Sequence, residues 1–67
     1  MSARTYTVTG MTCEHCVASV TEEVTEVPGV TGVQVDLASG ALTVTGEAVD
    51  DAAIAAAVVE AGYAVTP

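Results

Sequence analysis

Lysine is absent from this chain, and Arg4 is its only strong base against nine carboxylates, giving a formal net charge of −8 over 67 residues. One arginine cannot neutralise a run of phosphates, so nucleic acid is excluded as a partner class. An anionic membrane surface is disfavoured for the same reason. Tryptophan and phenylalanine are missing as well, and Tyr6 and Tyr63 are the only aromatic residues. Little surface is left for stacking on single-stranded nucleic acid, and the core must be packed from valine, alanine, leucine and isoleucine. The longest apolar stretch, Ala52 to Val59, falls far short of the ~20 residues of a membrane span. Met1–Thr5 lacks the apolar run of a signal peptide. These absences predict a soluble, cytoplasmic protein with no membrane insertion. No Ser–His–Asp set, paired catalytic carboxylates or glycine-rich phosphate loop is legible. The chain is therefore expected to be a binding module and not an enzyme, unless its chemistry is thiol-based.

What is present is concentrated. Both cysteines, the single histidine and one of two methionines fall within Gly10-Met11-Thr12-Cys13-Glu14-His15-Cys16. The remainder reads as scaffold. A chain this short buries only about 60% of its unfolded surface, and one domain over residues 1–67 is expected.

Arg4–Thr9 alternates polar and apolar residues, which predicts a half-buried strand with Tyr6 and Val8 inward. Gly10 breaks the pattern. Residues 16–27 are rich in strand-favouring valine and threonine. Yet Val17, Val20, Val24 and Val27 recur at helical spacing, with Ser19, Glu22, Glu23 and Glu26 on the other faces. Periodicity predicts a helix, marginal by itself and dependent on docking its valine stripe, and Pro28-Gly29 stops it. Val33, Val35 and Leu37 share one face of a strand over 30–37. Ala38-Ser39-Gly40 turns the chain, and 41–46 returns with Leu42 and Val44 inward, which makes a hairpin. Asp50 or Asp51 caps a second helix over 52–61, with Ile54, Ala57, Val58 and Ala61 on its inner face and Gly62 ending it. Tyr63–Val65 reads as a short last strand. The order βαββαβ predicts an α+β, ferredoxin-like fold: an antiparallel four-stranded sheet with two helices on one face.

Cys13 and Cys16, at i and i+3, lie where the first loop meets the first helix. Side chains at that spacing stand about 5–6 Å apart at Cβ. A disulfide needs sulfurs about 2 Å apart. A linearly held ion, with bonds of roughly 2.2–2.3 Å by analogy with zinc–sulfur bonds, needs about 4.5 Å. Spacing alone does not choose between metal and redox chemistry. Ligand count is more selective. Structural zinc takes four ligands and an iron–sulfur cluster four cysteines. Two thiolates suit the softest ions, Cu(I) first, then Hg(II) or Ag(I). The dipole and free N–H groups of a helix N-terminus favour the Cys16 thiolate, while Glu14 and the overall charge oppose it, so the sign of its pKa shift stays open.

Gly10-Met11-Thr12-Cys13-x-x-Cys16 resembles the metal-binding signature of the heavy-metal-associated domain family. Pro28-Gly29-Val30, the Val33/Val35 strand and Gly62-Tyr63 extend the resemblance over nearly the whole chain. Glu14-His15 between the cysteines, Tyr63 and the acidic, free-standing character resemble the bacterial cytosolic copper chaperones. The resemblance implies Cu(I) held by Cys13 and Cys16 and delivered by thiolate exchange to the N-terminal metal-binding domain of a copper-transporting P-type ATPase. A copper-responsive repressor is a second expected receiver, and a copper-bridged homodimer a plausible holo form. Competing expectations are a thiol-disulfide redox module and a scavenger of another soft metal (Hg, Ag, Cd or Zn) on the same fold. Met11 is expected to be a buried support under the loop, since methionine fills gaps well. Tyr63 is expected beside the site, as a shield or as core filler. His15 is either a modulator of thiol acidity and transfer or an exposed loop residue. Cys16 is expected to be anchored at the helix start, with Cys13 on the loop as the first point of exchange. Glu22, Glu23 and Glu26 form a solvated face or a docking face for a basic patch.

Overall fold

Alternation at both ends of the chain and helical spacing between them produce the predicted order. In the computed structural model, which describes residues 2–66, the elements are β1 (Ser2–Thr9), α1 (Glu14–Thr25), β2 (Val30–Asp36), β3 (Ala41–Gly46), α2 (Asp51–Glu60) and β4 (Ala64–Thr66). The strands form one sheet in the order β2-β3-β1-β4, with every neighbouring pair antiparallel. β1 starts earlier than the alternation indicated because Ser2 and Ala3 pair with Gly46 and Thr45.

One face of the sheet is apolar. Tyr6 and Val8 on β1 and Leu42 and Val44 on β3 meet Val20 and Val24 of α1 and Ile54, Ala57 and Val58 of α2 in a single buried cluster, so both helices cover that face. Val20, Val24, Leu42, Ile54 and Val58 are fully removed from water, each worth roughly 1.5–3 kcal/mol of transfer free energy. The opposite face carries Thr5, Thr7 and Thr9 of β1 and Thr43 and Thr45 of β3, as period-two alternation requires.

Several further boundaries differ from the sequence expectation. Helix α1 spans Glu14–Thr25, not 16–27. It starts early because the Cys13 carbonyl accepts the N–H groups of Cys16 at 3.0 Å and Val17 at 3.3 Å. It ends early because Val27 precedes Pro28, whose ring disfavours helical backbone at the residue before it. Val27 remains half-buried against the core. Pro28 and Gly29 then fill the centre of a turn closed by the Val30 N–H on the Val27 carbonyl at 3.2 Å, with Gly29 at φ +92°, the type II arrangement that favours proline followed by glycine. Strand β2 stops at Asp36, so Leu37 belongs to a four-residue loop and is exposed, where sequence had placed it on the buried face. The Asp36 carboxylate causes this by accepting from the Ala38 N–H at 3.1 Å and the Ser39 hydroxyl at 3.0 Å. Tyr63 precedes β4 and does not open it.

The one strong base is used internally. Arg4 pairs with Asp51, the first residue of α2, whose carboxylate also accepts the Tyr6 hydroxyl at 2.6 Å. The Tyr6 phenol, and after it Arg4, hold the Asp51 carboxyl below the usual carboxylate range. A carboxyl depressed in the folded state adds stability above its unfolded pKa, and that contribution is lost as pH falls through the folded value. Asp51→Asn should therefore be less stable than the parent at neutral pH, and the gap between them should close below about pH 4. Urea denaturation of both proteins at the two pH values measures this.

β1 runs toward the cysteine loop, α1 runs away from it, and α2 runs back to it. The N–H of Val8 on the Gly40 carbonyl at 2.8 Å places the β2–β3 turn at the same end.

Candidate metal site

The loop that follows β1 delivers Cys13 as the N-cap of α1 and Cys16 as its third helical residue. Cys13 has extended backbone (φ −157°, ψ 173°) and makes no side-chain capping bond. Both thiols are free, Cys13 exposed and Cys16 half-buried, and their sulfurs are 3.6 Å apart. That separation exceeds the ~2 Å of a disulfide and falls short, by about 1 Å, of the span that a linear two-coordinate ion needs. Rotation of the exposed Cys13 side chain can supply the difference. Among the described residues, no third histidine, cysteine, aspartate or glutamate joins the two cysteines in a group that could hold a metal ion. The arrangement can therefore take a soft ion between two sulfurs, with one side open to an incoming ligand.

The polar groups around Cys16 sign its acidity. The backbone N–H of Thr12, the Tyr63 phenol and the backbone N–H of Cys13 outweigh the opposing effect of burial and lower the thiol to about 6. Cys16 is therefore largely thiolate at neutral pH. The Thr12 hydroxyl lies 3.9 Å from the same sulfur. Tyr63 is raised in turn, chiefly because its phenol donates to Cys16.

Tyr63 is held there by the way α2 ends. The Gly62 N–H bonds the Val59 carbonyl at 2.9 Å and the Tyr63 N–H bonds the Val58 carbonyl at 3.1 Å, with Gly62 at φ +98°. This paired pattern is a Schellman cap, and it turns Tyr63 back over the loop, within reach of Gly10.

Tyr63→Phe should raise the Cys16 pKa from about 6. It should still leave it below the ~8.5 of a free thiol, because the backbone donors persist. Thiolate absorbance followed against pH measures both.

Of the other residues singled out by sequence, Met11 is half-buried and packs against the core, as a support would. His15 is the second residue of α1 and is exposed. Glu22 and Glu26 are exposed and Glu23 half-buried. Thr12 is the contributor that sequence did not mark. Its main effect comes through a backbone N–H, which every residue except proline carries, so no side-chain pattern announces it.

Residues 5–64 match the heavy-metal-associated domain. The chain is 40% identical over 65 residues to the copper chaperone CopZ of Bacillus subtilis (strain 168), covering 94% of each protein. Its structure is similar to that of a CopZ metallochaperone, with a TM-score of 0.92 and 30% identity over 97% of this chain and all of that one. It is also similar to a copper-binding domain from HMA7, a P-type ATPase, with a TM-score of 0.91 and 30% identity over 97% of this chain and 90% of that one. By its match over residues 5–64 and its likeness in sequence and fold to these proteins, the chain belongs to the heavy-metal-associated domain family.

Proposed function

We propose that this chain is a cytoplasmic copper chaperone, a single domain that binds one Cu(I) between Cys13 and Cys16 and hands it to the N-terminal metal-binding domain of a copper-transporting P-type ATPase. The observation that carries this reading is an exposed pair of free thiols, 3.6 Å apart, with no third ligand group converging on it among the described residues. Two soft donors satisfy Cu(I) and fall short of the four that structural zinc takes. The similarity to copper chaperones and to a copper-binding ATPase domain supports the choice of ion and receiver.

Transfer needs no catalysis beyond ligand exchange. A thiolate of the receiver adds to copper on its open side, and the Cys13–copper bond breaks first, because Cys13 is exposed and caps the helix from outside. A second receiver thiolate then displaces Cys16, which is half-buried and lies inside the helix rather than at its cap. Each step forms one sulfur–copper bond and breaks one. The same exposed pair fits a copper-responsive repressor as receiver, or a second copy of this chain sharing copper.

The net charge of −8 suits an electropositive receiving surface, and steering of that kind is screened by salt. Copper transfer from the loaded chain to such an ATPase domain, followed by NMR, should slow as ionic strength rises. The Debye length falls from about 10 Å at 0.1 M to about 3 Å at 1 M. A transfer rate indifferent to salt would remove charge steering from the proposal, and no transfer at all would remove the receiver.

The low Cys16 value also favours a second reading, thiol-disulfide exchange. Catalysed reduction of insulin by the reduced chain would support it.

A further inference from the structure

The two open edges of the sheet are built differently. β4 is only three residues long, and a short edge strand offers little for another strand to pair with. β2 runs for seven residues, Val30–Asp36, and has β3 as its one strand neighbour. Every second backbone N–H and C=O of β2 therefore points away from the sheet. Edges of this kind are guarded in native proteins by lysine, by proline within the strand or by a bulge. β2 has neither lysine nor proline, and its bulge lies at one end, between Val30 and Gly32. The stretch from Gly32 to Val35 is left unguarded.

The same edge is the neutral sector of a strongly acidic chain. Of nine carboxylates, only Asp36 falls between Val27 and Gly46. Helix α1 packs over β2, and the flank it turns to that edge is neutral beyond Glu14 in its first turn. Val20 and Val24 point inward, and Cys16 turns toward Tyr63 at the end of α2. At helical spacing Glu22, Glu23 and Glu26 fall on the outer and Cys16 sides, and Ala18, Thr21 and Thr25 fall on the opposite flank, above β2. The Thr21 and Thr25 hydroxyls bond back to the Val17 and Thr21 carbonyls at 2.8 and 2.6 Å, so their polar atoms are already engaged within the helix.

We propose that the β2 edge is a self-association surface, at which a second copy of this chain adds its β2 antiparallel to the first and joins two four-stranded sheets into one. Two chains that each carry −8 can approach closely only where neither is charged, and this edge is such a place on both. A twofold axis through Gln34 pairs Val33 of each copy with Val35 of the other, on the face where both valines already pack against the core. It sets the two exposed Gln34 amides opposite one another on the open face, where each can donate to the other, and it places Asp36 against Gly32. The cysteines follow β1, two strands in from this edge, so both sulfur pairs stay open. The association needs no metal and does not rest on the Cu(I) reading. An edge-to-edge contact buries less than about 1,200 Å², which makes it a weak one.

Sedimentation equilibrium of the reduced, metal-free chain from about 20 µM to about 1 mM, a range suited to weak contacts, should show monomer and dimer in exchange. Rising salt should tighten the dimer, because it screens the remaining carboxylates of the two copies, whereas copper transfer is expected to slow under the same change. The double variant Cys13→Ser with Cys16→Ser should associate like the parent, which separates this contact from thiol or copper bridging. In an NMR dilution series the amide signals of Val33, Gln34 and Val35 should move with concentration, and those of Val65 and Thr66 should not. Gln34→Glu sets two carboxylates face to face and should weaken the dimer by roughly tenfold or more. Adding Gln34→Lys chains to Gln34→Glu chains should restore association. A chain that stays monomeric at about 1 mM, a Gln34→Glu variant that associates as well as the parent, or concentration-dependent shifts confined to the cysteine loop would overturn the proposal.

Discussion

Cys16→Ser should abolish tight Cu(I) binding and leave the fold intact. Cys16 is one of only two thiols in the chain, and the donors around its sulfur lower it to about 6. Serine keeps the shape and removes the soft, ionised ligand. Structural metal sites with four ligands are worth about 10–16 kcal/mol in all, or ~2.5–4 kcal/mol per ligand, so losing one should weaken binding ~10²–10³-fold. With only two ligands to share the ion, the loss here belongs at the upper end. Cys13→Ser should weaken binding by a similar factor, but the variants should differ without metal. Serine is a strong N-cap and cysteine is not, so Cys13→Ser should stabilise the empty protein by about 1 kcal/mol, whereas Cys16→Ser should not. Chelator competition and urea denaturation measure the two effects separately.

Gly46→Ala should have the largest effect on folding. Gly46 ends β3 where that strand is crossed by the loop before β2. A Cβ there would stand 2.2 Å from the Gly29 carbonyl oxygen and 2.8 Å from a Val49 methyl. The carbonyl is backbone and is itself fixed, since it accepts the Glu47 N–H at 3.1 Å. A bulge between Val30 and Gly32 on the partner strand already absorbs one register shift at this point. Overpacking costs about 1–3 kcal/mol, and with no flexible side chain to yield, the upper figure applies. A chain of this size has only about 3–10 kcal/mol in total. A loss of about 3 kcal/mol should lower the melting temperature by roughly 12–24 °C. Calorimetry of the metal-free protein measures it, and a change of only a few degrees would show that the two loops can separate.

The fold was legible wherever alternation or helical spacing had an apolar face to act on. Tyr6 and Val8, Leu42 and Val44, Val20 and Val24, and Ile54, Ala57 and Val58 all lie where periodicity puts them. Valine-rich α1 shows why period outranks propensity: burial of Val20 and Val24 outweighs the small intrinsic cost of valine in a helix. The misplaced boundaries share a different cause. The start of α1, the end of β2 at Asp36 and the place of Tyr63 are each set by one local hydrogen-bonding group: the Cys13 carbonyl, the Asp36 carboxylate and the N–H groups of the Schellman cap. Periodicity does not report such bonds. Gly46 was opaque because its constraint comes from Gly29, distant in sequence.

At the candidate site, the spacing of Cys13 and Cys16 could be read from the chain, and Met11 is half-buried against the core. The direction of the Cys16 shift could not, because it depends on how backbone N–H groups and the Tyr63 phenol converge once the loop is folded. Sequence offered a negative Glu14 against a helix N-terminus and no way to weigh them. The structure adds three donors to the helix side of that balance.

The most direct measurement is a Cu(I) titration of the reduced chain against a competing chelator, repeated with Cys13→Ser and Cys16→Ser. The expected result is tight binding of one copper per chain, lost in both variants. Binding that survives in both, or weak binding accompanied by catalysed insulin reduction, would contradict a copper site built from these two sulfurs.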